Sequence, residues 1–253
     1  MMQSDIARFA LAGGAALVAG AVNAVAGGGS LITFPALVAV GLPPVIANVT
    51  NTVAMCPGYL GAFLAQRRDL VGQRARVTAL LPTGVIGGVI GGALLLHTGE
   101  STFKLIVPYL ILFAALLLAV QGRLRAWMVA RARGGHSEAW AILPVGLSAI
   151  YGGYFGAGMG VMVLAALAIV LGDSLIRLNA LKQGVSLACN VPAAALFVVS
   201  GQVNWPVAGV MFVAALAGGT LGGLFASRIP PAVLRWTVVT LALIVGVIYL
   251  VKP

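Results

Sequence analysis

Carboxylate side chains are the scarcest chemical group in this chain of 253 residues. Only five are present, Asp5, Asp69, Glu100, Glu138 and Asp173, and each lies at the end of an apolar segment or between two of them. Charged residues of both signs make up 8% of the chain, whereas a typical soluble domain contains about 25%. Because so few polar groups cannot cover a water-soluble globule of this size, the composition excludes a soluble enzyme and a disordered protein.

Residues that bind metals or perform hydrolysis are scarce as well. The two cysteines, Cys56 and Cys189, lie in apolar stretches, which argues against a disulfide framework or a zinc site. The two histidines, His97 and His136, lie in predicted loops, and no HExxH motif is present. No carboxylate lies deep in an apolar segment, where a proton or cation relay would need one. We therefore expect no catalytic residue, no bound metal and no cofactor, and an anion is favoured over a cation as a ligand.

Hydrophobic residues fill 61% of the chain, and the mean hydropathy is +1.08. Crossing a bilayer takes about 20 apolar residues in a helix, and lipid offers no other partner for backbone polar groups. Two of the ten apolar segments, Leu31–Leu42 and Val161–Leu171, are too short to cross and follow glycine-rich sequence. The sequence thus predicts an all-α polytopic membrane protein with eight to ten membrane segments. The ten segments are Ile6–Ala26, Leu31–Leu42, Val45–Gln66, Val77–Leu96, Leu105–Gln121, Trp140–Phe155, Val161–Leu171, Ile176–Val199, Pro206–Ala226 and Leu234–Val251.

An internal duplication organises these segments. A shift of 131 residues aligns the chain on itself without a gap from about Ala12 to Gln121, and it places the glycine run 87–92 on the run 218–223. We therefore divide the chain into a first repeat at 1–121, a basic linker at 122–139 and a second repeat at 140–253. Each repeat is predicted to open with a broken, re-entrant-like helical hairpin and to continue with three spanning helices. Duplicated halves are typical of secondary transporters.

Positive charge dominates, with fifteen Lys and Arg residues and a net charge of +10. In a membrane protein this surplus indicates cytoplasmic loops rather than binding of nucleic acid. Four arginines lie in the loop Arg67–Arg76 and four in the stretch Arg123–Arg133, whereas Gly201–Trp205 has none. We predict that the two basic regions are cytoplasmic, that Gly201–Trp205 is periplasmic, and that the repeats are inverted. A parallel repeat with four crossings per half fits these charges less well.

The glycine-rich break in each repeat is a candidate anion site. A helix that begins inside the membrane presents free N–H groups and the positive end of its dipole, so it binds an anion without a charged side chain. Small residues also serve close packing between membrane helices, which is the alternative for both breaks and the preferred explanation for the later glycine runs. The candidate residues at the breaks are Asn23, Gly28, Gly29, Ser30, Thr33, Gly158 and Gly160.

A polar stripe begins the third segment of each repeat. Its members in the first repeat are Asn48 and Asn51; in the second repeat they are Asn179, Lys182, Gln183, Ser186 and Asn190. Spacings of three and four residues place a repeat's members on one helical face, which we expect to meet protein or water instead of lipid. Lys182 is the one charge clearly within a segment, and intramembrane ionisable groups usually serve function. The alternative is a lysine that snorkels to the membrane surface.

These motifs resemble those of a known family. The stretch Asn23-Ala-Val-Ala-Gly-Gly-Gly-Ser-Leu-Ile-Thr-Phe-Pro35, followed by Gly41-Leu-Pro and Ala47-Asn-Val-Thr-Asn51, is similar to the opening signature of the TauE/SafE sulfite exporters, also called toluene sulfonate uptake permeases. In the second repeat Asn179-Ala-Leu-Lys182 and Gly201-Gln-Val-Asn-Trp205 match as well. The second repeat departs from the signature at Gly156-Ala-Gly-Met-Gly160, where the first has a glycine triplet.

The resemblance implies a multi-pass transporter of the bacterial inner membrane. Its cargo would be a small sulfur-containing anion such as sulfite or an organosulfonate, with export the expected direction. An anion channel of the same fold is an alternative, and a membrane protein without a transport role is a second one. Besides the anion and the lipid bilayer, a homodimeric partner is compatible with these expectations.

Overall fold

The computed structural model describes residues 2–25, 28–131, 138–225 and 231–251. Within these ranges the chain forms ten α-helices and one 3-10 turn, Arg67–Leu70, and it forms no β-strand. The predicted all-α architecture is therefore confirmed. The helices are α1 Met2–Val25, α2 Ser30–Ala39, α3 Pro44–Gln66, α4 Arg74–Thr98, α5 Glu100–Arg131, α6 Ala139–Tyr154, α7 Met159–Leu171, α8 Leu175–Val199, α9 Trp205–Phe225 and α10 Pro231–Val251.

Helix length distinguishes the candidate membrane spans from two helices that are too short to cross. Five described helices are long and apolar enough to cross a membrane, which confirms a polytopic membrane protein. Helix α2 has 10 residues and α7 has 13, so at about 1.5 Å per residue neither spans a hydrocarbon core of about 30 Å. These are the two segments predicted to be too short. The five candidate spans are Ile6–Asn23, Arg74–Thr98, Glu100–Leu124, Leu175–Val199 and Ala232–Val251.

Glycine and proline residues set many of the helix boundaries. A positive φ angle is strained for residues with a Cβ atom, so glycine ends a helix at little cost in energy. Proline pre-sets the φ angle of a first helical turn, as Pro44 does at the start of α3. Glycines with positive φ follow α2, α4, α7 and α8, at Gly41, Gly99, Gly172 and Gly201.

Each short helix belongs to a hairpin that begins and ends at one end of the bundle. For α1–α2, a Cβ atom built on Gly41 would lie 3.6 Å from a guanidinium nitrogen of Arg8. For α6–α7, the Arg76 guanidinium forms ion pairs with Glu138, just before α6, and with Asp173, just after α7. Neither hairpin therefore crosses the bundle from end to end.

Helices α3 and α8 pack antiparallel at the centre of the bundle. Near the start of α8 the Asn179 amide donates a hydrogen bond of 2.6 Å to Gln66, the last residue of α3. Beyond the other end of α8 the backbone N–H of Asn204 donates to the Thr50 hydroxyl, near the start of α3, at 3.0 Å. Contacts at both ends thus fix the opposite directions of the two helices.

The two sequence repeats are interleaved rather than separate. Helix α1 packs on α9 of the other repeat, and its counterpart α6 packs on α4. Glycines allow the close approach, since a Cβ atom on Gly20 would lie 2.9 Å from the backbone nitrogen of Gly219, and one on Gly91 would lie 2.7 Å from that of Tyr154. The glycine runs beginning at residues 87 and 218 thus serve helix packing. The equivalent pairings in the two halves follow the repeat symmetry.

Helix α5 reaches further than its predicted segment. It continues to Arg131, so the first part of the proposed linker 122–139 is helical. Residues 132–137, including His136, lie outside the described ranges. Near the start of α5 the buried Phe103 ring packs edge-on against Phe34 of α2 at 6.4 Å between ring centroids. Phe34 also meets Phe155, the residue that follows α6, at 5.4 Å. This aromatic cluster joins both hairpins to α5.

Candidate functional site

The two glycine-rich breaks meet on one turn of α5. A Cβ atom built on Gly28 would lie 2.9 Å from the Leu118 side chain, and one on Gly158 would lie 3.4 Å from the Cα atom of Ala114. Both glycines have positive φ angles, +89° and +81°. Ala114 and Leu118 are buried and one helical turn apart, near the middle of α5. The fold therefore brings the starts of α2 and α7 together inside the protein.

Polar side chains contact the start of α2, although the Ser30 N–H has no hydrogen-bond partner among the described residues. Asn23 accepts a hydrogen bond from the Gly29 N–H at 2.8 Å, and the buried Thr33 hydroxyl donates to the Gly29 carbonyl at 3.3 Å. The Ser30 hydroxyl lies next to the Tyr59 phenol of α3. A Cβ atom on Gly29 would lie 2.7 Å from both the Ala19 carbonyl oxygen and the Asn23 amide nitrogen. Close packing against α1 thus explains the glycine at this position.

The start of α7 is open. Its N-cap residue, Gly158, adopts the left-handed conformation, and no side chain caps the helix. The Met159 and Val161 N–H groups donate to nearby carbonyls, whereas the Gly160 N–H has no hydrogen-bond partner among the described residues. The first-turn N–H groups of a helix carry the positive end of its dipole, so this terminus attracts an anion.

Lys182 of α8 packs beside the first turn of α7. Its Cδ atom is 3.7 Å from the position that a Cβ atom on Gly160 would take. The side chain is half-buried, and within the described part of the chain it forms no ion pair or hydrogen bond. A lysine side chain next to the free Gly160 N–H supplies one charge-assisted donor and one backbone donor for an oxyanion.

The rest of the polar stripe on α8 serves other purposes. Asn179 is bonded to Gln66 at the end of the bundle, away from the glycine breaks. The Asn190 amide is buried and donates to the Ser186 carbonyl one turn before it, at 2.8 Å. Gln183, which is half-buried, follows Lys182 directly in the chain. Of the predicted stripe, Lys182 is thus the residue that the fold places next to the start of α7.

The predicted polar residues of α3 form a separate group. The Asn48 amide donates a hydrogen bond of 2.8 Å to the backbone carbonyl of Tyr154, the last residue of α6. Asn51 is one helical turn further along α3, and its side chain makes no hydrogen bond within the described residues. Both side chains are buried. Asn48 thus contacts the C-terminal end of a helix rather than an N-terminal one.

Two residues that hold the α6–α7 hairpin in place were not predicted from the sequence. The Tyr151 hydroxyl donates to the Ala157 carbonyl at 2.8 Å and so holds the turn between α6 and α7. Asp173 joins the two repeats through its contacts with Arg76 and Arg177. Partial burial of Asp173 opposes its ionisation, but hydrogen bonds from Arg76, the Ser174 N–H and Arg177 outweigh that effect and lower the pKa of the carboxyl group. Tyr151 lies four residues before Phe155, in the last turn of α6, and this position next to the glycine-rich loop is the sequence signal for its role.

Comparison with known proteins shows the family of the chain. Residues 12–249 match a protein family described as "Sulfite exporter TauE/SafE". The chain belongs to the TauE/SafE sulfite exporter family. The family resemblance that the opening motif indicated is thereby confirmed, and it extends over nearly the whole length of the chain.

Individual relatives of this TauE/SafE protein are named as transporters. A "Probable membrane transporter protein" of Haemophilus influenzae is 30% identical over 205 residues, which cover 81% of this chain and 80% of the relative. YfcA of Escherichia coli K12, a "Probable membrane transporter protein", is 27% identical over 82% of this chain and 76% of its own. ORF9 of a Sinorhizobium species, named in the same way, is 25% identical over 94% and 91%. Solved structures include no significant match to the chain. The family and these relatives identify the chain as a multi-pass membrane transporter.

Proposed function

We propose that this protein carries small sulfur-containing anions, such as sulfite or organosulfonates, across the bacterial inner membrane, with export as the direction. It is not an enzyme in this proposal, and it needs no cofactor. The substrate class is supported by the family that the chain belongs to. The relatives' names give the transport role without a substrate.

The observation that carries the proposal is the position of Lys182 beside Gly160, in the first turn of α7, where the Gly160 N–H has no partner among the described residues. A sulfite or sulfonate group has several acceptor oxygens. One oxygen accepts a hydrogen bond from the free Gly160 N–H, and another accepts a charge-assisted hydrogen bond from the Lys182 ammonium group. Met159, Val161 and Leu181, the chain neighbours of these two residues, are buried and apolar, so water competes little for the hydrogen bonds to the anion.

Transport also requires that the site open to each side in turn. The antiparallel α3 and α8, together with hairpins that return to opposite ends of the bundle, support inverted repeats. Inverted repeats allow a rocking motion in which one half moves against the other around a central site. Lys182 lies beside Gly160 of α7, whereas Asn23 occupies the Gly29 N–H before α2, so in this proposal the second repeat holds the anion and the first provides the moving counterpart.

The experiment is a binding panel followed by a flux assay. Purified protein is titrated with sulfite, thiosulfate, a sulfonate and sulfate, and the melting temperature is recorded for each. A ligand that binds only the folded state raises the melting temperature. We expect stabilisation by sulfite or a sulfonate and less by sulfate; no response to any sulfur anion would contradict the proposal.

Flux in proteoliposomes then separates a carrier from an anion channel. A carrier saturates and shows counterflow, in which unlabelled anion on one side drives labelled anion uphill. Electrical conductance without counterflow would favour the channel.

A further inference from the structure

Two buried amide side chains on α3 have oxygen atoms without a partner. Asn48 is 1% exposed and Asn51 is 2% exposed, and the Oδ1 atom of each is buried without any hydrogen bond. Buried polar atoms are nearly always hydrogen-bonded, because an unsatisfied one destabilises the folded state. Two such oxygens one helical turn apart therefore point to something that binds them.

The orientation of the Asn48 amide is fixed by its neighbour. The Tyr154 carbonyl can only accept a hydrogen bond, and it lies 2.8 Å from the Nδ2 atom of Asn48. The amide must therefore present its nitrogen to Tyr154, which leaves its oxygen as the atom without a partner in the described part of the chain. Residues three apart lie on the same helical face, so Asn51 borders the same side of α3. The oxygen of Asn48 therefore needs a donor or a cation, and the Asn51 amide, whose orientation no hydrogen bond within the described residues fixes, is free to turn its oxygen to the same partner.

The neighbouring helix end has the same polarity. Tyr154 is the last residue of α6, and the last carbonyls of a helix carry the negative end of its dipole. Neutral oxygens from amides and from helix C-termini are ligands for hard cations, and broken helices of transporters present their C-terminal ends to sodium in this way. This site has the opposite polarity to the start of α7, where Lys182 lies.

We propose that Asn48, Asn51 and the carbonyl end of α6 bind a monovalent cation, with sodium as the ion of choice. Asn51 is the repeat counterpart of Lys182. At this position the second repeat carries a covalently attached cation, the Lys182 ammonium group, and in our proposal the first repeat binds a cation from solution. The cation's role as a coupling ion rests on the proposed transport function, whereas its binding does not.

The test measures the melting temperature of the full-length protein in sodium, potassium and choline chloride at equal ionic strength, without any sulfur anion. Sodium at ten times its dissociation constant should raise the melting temperature by about 3 °C relative to choline. Asn51→Leu removes the oxygen at nearly constant volume and breaks no hydrogen bond within the described residues, so it should abolish the sodium shift.

Ser148→Ala is the matched control. Ser148 is also buried, lies on α6 and donates to the Pro144 carbonyl, so its loss removes a polar group outside the proposed site. The sodium shift should persist in this variant. Asn51→Asp provides a second test that does not depend on the leucine variant folding. A charged ligand should tighten sodium binding by about tenfold, because affinity for hard cations rises with ligand charge.

Two outcomes would overturn the cation site. One is a wild-type melting temperature that is equal in all three salts. The other is an Asn51→Leu variant with an unchanged sodium shift. Failure here is distinguishable from failure of the proposed function. Stabilisation by sulfite at constant sodium without a sodium effect removes only the cation site; stabilisation by sodium without any anion effect removes only the anion substrate.

Discussion

The Lys182 side chain has no counter-ion among the described residues, although it lies among apolar neighbours. Such a charge is tolerated in a membrane protein when a ligand or water satisfies it. We predict that Lys182→Gln weakens anion binding by at least about tenfold, because a hydrogen bond to a charged group contributes about 1.5–3 kcal/mol. The change is measured as the anion concentration that gives half the maximal thermal shift.

Lys104→Gln is the control for this variant. Lys104 is an exposed lysine near the start of α5, so its loss should leave anion affinity unchanged. Equal affinity of wild type and Lys182→Gln, with intact folding, would mean that the lysine only snorkels to the membrane surface.

Two glycines at equivalent positions of the repeats, Gly29 and Gly160, should respond differently to substitution. At Gly29 an added Cβ atom meets backbone and Asn23 atoms at 2.7 Å, so we expect Gly29→Val to lower stability and yield. At Gly160 the nearest atom is the Lys182 Cδ at 3.7 Å, an ordinary contact. Gly160→Val should therefore keep the fold while its bulk displaces Lys182 and the anion.

Melting temperature and anion affinity, measured in parallel, separate these two effects. If Gly29→Val folded normally but failed to bind, the start of α2 would be part of the anion site after all.

At the scale of elements, Asp173 ties the α7–α8 turn to α4 through Arg76. The pKa of its carboxyl group is lowered in the folded protein, so the stability that it contributes is present above its unfolded pKa of about 3.9. That contribution is lost as pH falls from there through the folded pKa. We predict that Asp173→Asn lowers the melting temperature by a constant amount from pH 8 to pH 5, and by less below about pH 4. A difference that stays constant down to pH 3 would contradict the role of the carboxylate.

The sequence could predict much about these elements, because the lengths of apolar segments and the glycines between them are local properties. Both short helices and the starts of the two breaks lie where the segments placed them. The hydrogen-bond partners could not be predicted, since they come from distant parts of the chain. Asn48 meets Tyr154, and Asn179 meets Gln66, across more than a hundred residues. Without those partners, the occupied amides and the unsatisfied ones look alike in the sequence.

At the scale of the whole molecule, the orientation of the repeats leads to a prediction about the two membrane faces. In a variant without Cys56 and Cys189, single cysteines are introduced at Arg68 and at Gln202. Arg68 follows α3, and Gln202 follows the antiparallel helix α8. We predict that impermeant thiol reagents label position 68 from the cytoplasm and position 202 from the periplasm. Labelling of both positions from one side would contradict inverted repeats.

The pairing of α1 with α9 has a consequence for biosynthesis. About 180 residues separate the end of α1 from the start of α9, and at roughly 5–20 residues per second the ribosome needs roughly 10–40 seconds to make them. During that time the small-residue face of α1, including Gly20, has no native helix to pack against. The nascent first repeat must therefore wait in the bilayer, shielded by lipid or by insertion machinery, until the second repeat arrives. A gene split within the linker should accordingly yield two fragments that are each unstable alone and are rescued by co-expression.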